Sequence, residues 1–362
     1  VFTTVSTITA AEAELLHERK PDPVLPNGID LEVIDALAGT SGRAQTRARL
    51  ERLAGSFVGE EVSDAVFVGI SGRYEFHNKV IDLLLDALAD LEARTGSEEG
   101  KGRRVVLFVL VPAGNSGLRA EVRERVAARE RDGQPPAEGP GPLGVSTHNL
   151  FDPAGDPVQQ RCAALHLDNR RGSRVKVIQV PIYLSEYDDF LQIPYEALLR
   201  ALDLTCFPSY YEPWGYTPQE SLAVGVPTIT TDYAGFGRWA VSEGLGPQDG
   251  IEVLHRADQA VEVEPARRAI LDVERDRPLQ VLVGFDGRGV GRENHGRLGS
   301  GRGGGGGCRG EEGDESEERG EGGGAGHRAI VHGVSRRVAE EGVTRIMLAC
   351  PPDPMPRLAW LF

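Results

Sequence analysis

The polarity pattern of this chain changes character along its length. Up to about Glu243, short β-branched runs alternate with longer amphipathic ones, which is the pattern of a parallel sheet flanked by helices. VFTTVS and VLPNG read as strands on either side of a helical AAEAELLHE, and after a polar connection AQTRARLERLAG predicts a helix. AVFVGIS (strand), NKVIDLLLDALADLEAR (helix), RRVVLFVLVPA (strand) and LRAEVRERVAARE (helix) follow in order. Residues 133–144, DGQPPAEGPGPL, form a Pro/Gly break, after which PVQQRCAALHL (helix), VKVIQVPIYL (strand), PYEALLRAL (helix), DLTCFPS (strand), PQESLAVG (helix) and PTITTD (strand) resume the alternation. The strands hold few polar positions, so helices are expected on both faces of the sheet. Beyond GIEVLHR, residues 285–326 become a run of Gly, Arg and Glu with no periodic apolar face, and disorder is expected there. The final IMLACPPDPMPRLAWLF is apolar but too rich in proline to extend the sheet.

Composition narrows the functional classes. The chain has 362 residues, enough for about two domains at roughly 150 residues each, while 46 glycines and 23 prolines are too many for one compact fold. A net charge of −15 argues against gripping a nucleic-acid backbone or an anionic membrane surface, and favours small-molecule or neutral polymer substrates. The cysteines Cys162, Cys206, Cys308 and Cys350 are far apart and show no zinc spacing, so no metal site is expected and Cys206 reads as a core thiol. No continuous apolar run is long enough for a membrane span, and a cytoplasmic location is expected. The chain opens on Val1 directly in a strand-like run, from which an upstream part of the natural protein is expected to be absent.

Two loops carry the candidate chemistry. Ligands of doubly wound sheets bind beyond the carboxyl ends of the strands, and residues 208–218 occupy such a place, leaving DLTCF at Pro208 and entering a helix near Thr217 and Pro218. Thr217 as N-cap with proline at the first helical position is a start signal, and the free amides of that first turn, with the helix dipole, favour an anion. Glu212 lies on the loop and Glu220 about a turn into the helix, so carboxylates flank a phosphate-binding terminus; plain partnership with the helix dipole is the alternative. ISGRYEFHNK, residues 70–79, is a second strand-to-helix loop at the same edge, where Arg73 and Lys79 would suit a diphosphate or simply face solvent. His148 in STHNLFDP reads as a structural hydrogen-bond partner rather than a catalyst. GRGVGRENHG, residues 287–296, lacks the preceding strand that a dinucleotide loop requires.

GRYEFHNK, STHNLFDP, YYEPWGYTPQESLAVGVPTITTD and GFGRW together resemble the second domain of glycogen synthase, in the retaining family of eukaryotic type that also occurs in bacteria. The likeness runs from VFTTVSTITAAEAELL to about GIEVLHR, and EPWGYTP is its most specific block. It implies a GT-B architecture, in which two Rossmann-like domains face each other across a cleft. This chain would hold mainly the C-terminal, donor-binding domain: residues 1–30 a remnant of the first domain and the hinge at PNG, 31–256 the nucleotide-sugar domain, and 257–362 a disordered or frame-shifted tail.

The implied reaction transfers glucose with retention from UDP-glucose to the non-reducing end of an α-1,4-glucan such as glycogen, without metal or other cofactor. Arg73 and Lys79 would hold the donor diphosphate, Glu212 the donor glucose and Glu220 the ribose. Tyr195 would stack on uracil, and Trp214, Gly215, Tyr216 and Thr217 would form the loop that cradles phosphate and sugar. UDP-glucose and α-glucan are the expected partners, with no nucleic acid or membrane, and a homo-oligomer stays open for a full-length protein. A non-catalytic nucleotide-sugar-binding module, or another GT-B enzyme of sucrose- or trehalose-forming type, are the alternatives. One departure is local: Val80 stands where the family usually has glycine after NK.

Overall fold

The structure, a computed structural model, describes residues 1–39, 42–94, 102–132 and 143–255. Six parallel strands form its centre: β1 (Val66–Ser71), β2 (Val105–Leu110), β5 (Val175–Gln179), β6 (Leu204–Cys206), β7 (Thr228–Thr231) and β8 (Ile251–Leu254). They lie in the order β5-β2-β1-β6-β7-β8. Numbered along the chain among themselves this is 3-2-1-4-5-6, the doubly wound order of Rossmann-type sheets. The order reverses between β1 and β6, which pair in parallel through Val68 with Leu204 and Gly69 with Thr205. Crossover there sends one half of the chain to each side and opens a crevice beyond the strand ends.

Every residue of β1, β2 and β5 is buried, as expected for strands covered on both faces. Side-chain alternation sorts them: Val66, Val68 and Ile70 of β1 pack with α4 (Ile81–Ala93) and α6 (Pro157–Ala164), whereas Phe67 packs with α3 (Arg43–Val58), α5 (Ala120–Asp132) and α7 (Tyr195–Ala201). A third cluster joins Ile34 of α2 (Leu31–Ala38), Leu222 of α8 (Tyr216–Ala223), Phe236 of α9 (Gly235–Ser242), Ile251 and the buried Trp214. Cys162 and Cys206 are buried, and burial pushes both thiols up to about 12, which makes them inert core groups.

Several local expectations are corrected. VFTTVS and VLPNG form only one isolated bridge, Thr4 with Val24, because two short segments without further sheet neighbours cannot sustain a ladder. The helix after them, α1 (Thr7–His17), begins at a capping box in which Ser6 and Thr9 satisfy each other's amides, and it buries none of its residues. The polar connection before α3 contains α2, started by Asp30 accepting from the Glu32 and Val33 amides. Residues around STHNLFDP form an antiparallel pair, β3 (Asn115–Leu118) with β4 (His148–Leu150). Most of the Pro/Gly break, the tail and the glycine motif at 287–296 lie outside the described residues. No helix among the described residues is long and apolar enough to cross a membrane.

Candidate active site

The two loops singled out from sequence meet at the point where the strand order reverses. One leaves β1 at Ser71 and reaches α4; the other leaves β6 at Cys206 and reaches α8. Across the gap the Lys79 ammonium is ion-paired with the Glu212 carboxylate, and Ser209 Oγ donates to the same carboxylate oxygen at 3.3 Å. Both side chains are nearly out of water, with 11% and 14% of their surface exposed. Burial holds Lys79 below the usual lysine range; Glu75 opposes that shift and Arg73 adds to it. A charge pair this enclosed is expensive to assemble and more expensive to break by removing one member, by about 3–5 kcal/mol.

Arg73 lies on the same loop but faces solvent, with 74% of its side chain exposed, and pairs with Glu75 at 2.7 Å. The solvated alternative therefore describes its position in the structure. The loop is fastened from behind. Tyr74 Oη donates to Asp156 at 2.7 Å and accepts from the Val158 amide at 3.2 Å, and Gln179 donates to both Asp156 oxygens at 3.3 Å. Burial and the neighbouring Asp156 raise Tyr74 well above the phenol range, so it acts here as a fixed neutral donor. Chain reversal into α4 occurs at Val80, which is fully buried and left-handed at φ 58°.

On the second loop Glu212 is held by its backbone, donating to the Tyr233 carbonyl at 3.2 Å and accepting from the Gly235 amide at 3.1 Å. The helix start differs from the sequence expectation. Thr217 is not the N-cap: α8 begins at Tyr216, and its cap is Gly215 at φ 99°, with no side chain capping the first turn. Glycine supplies a left-handed cap that threonine adopts only with strain, so the chain turns before Thr217. Pro218 then sits inside the first turn, where its missing N–H costs no helical hydrogen bond. Tyr216 is exposed. Trp214 sits mainly in the core: it is 3% exposed, donates to Gln219 at 2.9 Å and packs edge-on against Phe236.

Glu220 falls in the second turn of α8 and meets Tyr195, whose hydroxyl is 2.8 Å from Ser71 Oγ at the end of β1. Burial raises Glu220 above the usual carboxylate range, with Glu196 adding to the shift and the Tyr195 hydroxyl opposing it. Tyr195 is likewise raised, by burial first and Glu220 second. His148 makes the structural contacts expected of it, to Asp189 at 2.8 Å and to Thr147 Oγ1 at 2.8 Å. A cavity of about 520 Å³ lies between the N-terminal segment and α9, bordered by Val5, Trp214, Arg238 and Trp239; of the predicted site residues only Trp214 lines it.

Sequence reasoning missed Glu75, Asn78, Ser209 and the Tyr74–Asp156 contact. Their signal is position alone: Tyr74, Glu75 and Asn78 stand within GRYEFHNK, and Ser209 within the EPWGYTP approach.

Comparison with known proteins agrees with these blocks. The profile of the family described as Glycogen synthase matches residues 1–132 and 121–267. The mouse liver glycogen [starch] synthase is 34% identical over 303 residues, covering 71% of this chain and 43% of the relative. Glycogen [starch] synthase isoform 1 of Saccharomyces cerevisiae is 33% identical over 301 residues, covering 66% and 42%. The chain thus spans less than half the length of these relatives. Among solved structures, Anabaena Alr3699/HepE in complex with UDP overlaps 74% of this chain and 52% of its own, at 17% identity and a TM-score of 0.41. A glycosyltransferase from Rickettsia africae overlaps 74% and 51%, at 12% identity and a TM-score of 0.42.

Proposed function

The chain belongs to the glycogen synthase family, and on that premise we propose that it carries the donor-binding half of a retaining glucosyltransferase that moves glucose from UDP-glucose to the non-reducing end of an α-1,4-glucan. The observation that carries the reading is the Lys79–Glu212 pair: two nearly buried opposite charges, 133 residues apart in sequence, converge where a doubly wound sheet binds its ligands. Such a pair adds little to stability for its cost, and a ligand that uses each charge accounts for it.

In this reading the donor diphosphate takes Lys79 from Glu212 and Arg73 from Glu75, and lies toward the uncapped first turn of α8. Fixed cations and backbone dipoles neutralise the leaving group as charge develops, with no metal required. Glu212, released from the ammonium, holds the hydroxyls of the donor glucose and positions the sugar through an oxocarbenium-like transition state. The departing phosphate takes the acceptor proton on the same face, which preserves the anomeric configuration. Glu220 holds the ribose and Tyr195 the uracil at the neighbouring edge. Gly215, Tyr216 and Thr217 turn backbone toward the phosphate, while Trp214 supports them from the core.

We assign residues 1–30 to the end of a first Rossmann-like domain and its hinge and 31–256 to the donor domain, in a two-domain GT-B protein of the cytoplasm. Closure of two domains excludes water before transfer, so this chain alone is expected to bind donor and to transfer little glucose. Calorimetry with UDP tests the core of the reading. Lys79→Ala should weaken UDP binding by about 1.5–3 kcal/mol, the scale of hydrogen bonds to charged groups. Equal affinity in the folded variant would refute the assignment.

A further inference from the structure

Binding of a diphosphate creates a mechanical difficulty. Lys79 and Glu212 join the two loops directly. Once Lys79 turns to phosphate, that link is given up at the moment when the spacing of the loops matters most. Some other group must hold their register.

Asn78 is placed to do so. Its carbonyl accepts from the Tyr210 amide at 2.8 Å, and its side-chain Nδ2 donates to the Tyr211 carbonyl at 3.3 Å, so one residue of the β1 loop meets two consecutive residues of the β6 loop. The same Nδ2 donates to Glu75 Oε2 at 2.8 Å. The other oxygen of Glu75 holds Arg73 at 2.7 Å, and the Glu75 carbonyl accepts the Lys79 amide at 2.8 Å. The Asn78 amide group is therefore a node. It ties the residue that organises both cations to the backbone beside Glu212, and none of its contacts uses a group that a diphosphate would claim.

We propose that Asn78 is a positioning residue for diphosphate binding, which keeps the Lys79 loop in register with the Glu212 loop after the Lys79–Glu212 pair opens. This rests on the donor-site reading given above. The role is one of position: Asn78 acts on the Lys79 loop through Glu75 and through the backbone of Tyr210 and Tyr211. A carboxamide suits the task because it donates to a carbonyl and a carboxylate while adding no charge to compete with the ligand.

The test is calorimetry on the full 362-residue chain with UDP and with uridine, for wild type, Asn78→Ala, Lys79→Ala and the double variant. Asn78→Leu, uncharged and of similar size, removes the two Nδ2 donations if the alanine variant fails to fold, and circular dichroism verifies folding. Asn78→Ala should weaken UDP about five- to tenfold and leave uridine within twofold. Added to Lys79→Ala, it should lose most of that effect, because only Arg73, exposed and held by Glu75, is left to position. A purely structural role would instead weaken uridine as much as UDP and add its full effect to that of Lys79→Ala; either outcome overturns the proposal. So does UDP affinity within twofold of wild type in folded Asn78 variants while Lys79→Ala is impaired. Unchanged UDP binding in Lys79→Ala overturns the site reading and the inference together.

Discussion

Val80 offers a sharp test of how the cation loop is built. It follows Lys79, reverses the chain into α4, and sits at φ 58° and ψ 33° with no exposed surface. For an L-residue that conformation costs about 1–2 kcal/mol, and a β-branched side chain is an especially poor occupant. Glycine pays no such steric penalty, but replacing valine by glycine also removes buried carbons, so the single substitution mixes two effects. Comparison with alanine separates them. Val80→Ala removes two methyl groups and keeps the strained Cβ, for a loss of about 1.6 kcal/mol at about 0.8 kcal/mol per buried carbon. Val80→Gly loses about 0.8 kcal/mol more for the third carbon and about 0.4–1 kcal/mol to the greater freedom of the unfolded chain, but recovers about 1–2 kcal/mol of backbone strain. Glycine and alanine should therefore lie within about 1 kcal/mol of each other here. Without strain alanine would lead by about 1.2–1.8 kcal/mol. Urea unfolding of the three proteins reads the difference directly, and in a domain of this size about 1 kcal/mol corresponds to about 2–4 °C in Tm. An alanine variant ahead of the glycine variant by more than about 1 kcal/mol would refute the claim that the left-handed turn is strained.

Two further perturbations report on other parts of the molecule. Burial raises Glu220, so the folded chain binds that proton more tightly than the unfolded chain; the ionised carboxylate therefore costs stability above the raised pKa, and the cost fades as pH falls to the ordinary glutamate range. Glu220→Gln should raise Tm at about pH 7.5, lose that advantage near about pH 4, and weaken UDP; a Tm unchanged or lowered at about pH 7.5 would argue against the burial cost. Lys176, fully buried in β5 and ion-paired with Glu60, stands toward the strand end away from the ligand loops. Lys176→Ala should cost about 3 kcal/mol in urea unfolding by stranding Glu60, the lower end of the range because Arg104 also reaches Glu60 at 3.3 Å; a loss below about 1 kcal/mol would show that Arg104 suffices.

The sheet was legible because its strands are continuous apolar runs of a length that only covered parallel strands use, as VFVGIS and VVLFVL illustrate. Loops and caps were less so. α2 escaped because its buried face is only Ile34 and Ala38, too short a period to register in a stretch otherwise exposed at Val33 and Leu37. α9 escaped because Gly235 and Gly237 read as turn residues. Both are there for space: a Cβ on Gly235 would stand 2.3 Å from the Pro213 carbonyl oxygen, and one on Gly237 would stand 2.1 Å from that of Thr231. Such crowding is tertiary and leaves no local trace. At the site, the sequence placed both loops at one edge of the sheet, but the pairing of Lys79 with Glu212 needs the adjacency of β1 and β6, which only the fold shows. Nor could Asn78 be anticipated, because an asparagine in a loop has many uses and only the neighbouring loop selects one.

The carboxylates of the site explain why such cations can be kept there at all. An ammionium or guanidinium withdrawn from water without a partner would shift its pKa or expose itself. Lys79 is enclosed with Glu212 and burial holds its pKa down, whereas Arg73 takes the other course, staying in solvent against Glu75. A diphosphate entering this site exchanges one set of charge partners for another, so its affinity reflects the difference between phosphate and carboxylate rather than the whole strength of the new contacts. The exchange would have a further effect on Glu212: while Lys79 pairs with it, the carboxylate has one hydrogen-bond position fewer for a sugar, and phosphate binding would release that position. On the proposed reading, donor phosphate and donor glucose would thereby be coupled through a single side-chain pair, and a nucleotide sugar would gain what neither half gains alone.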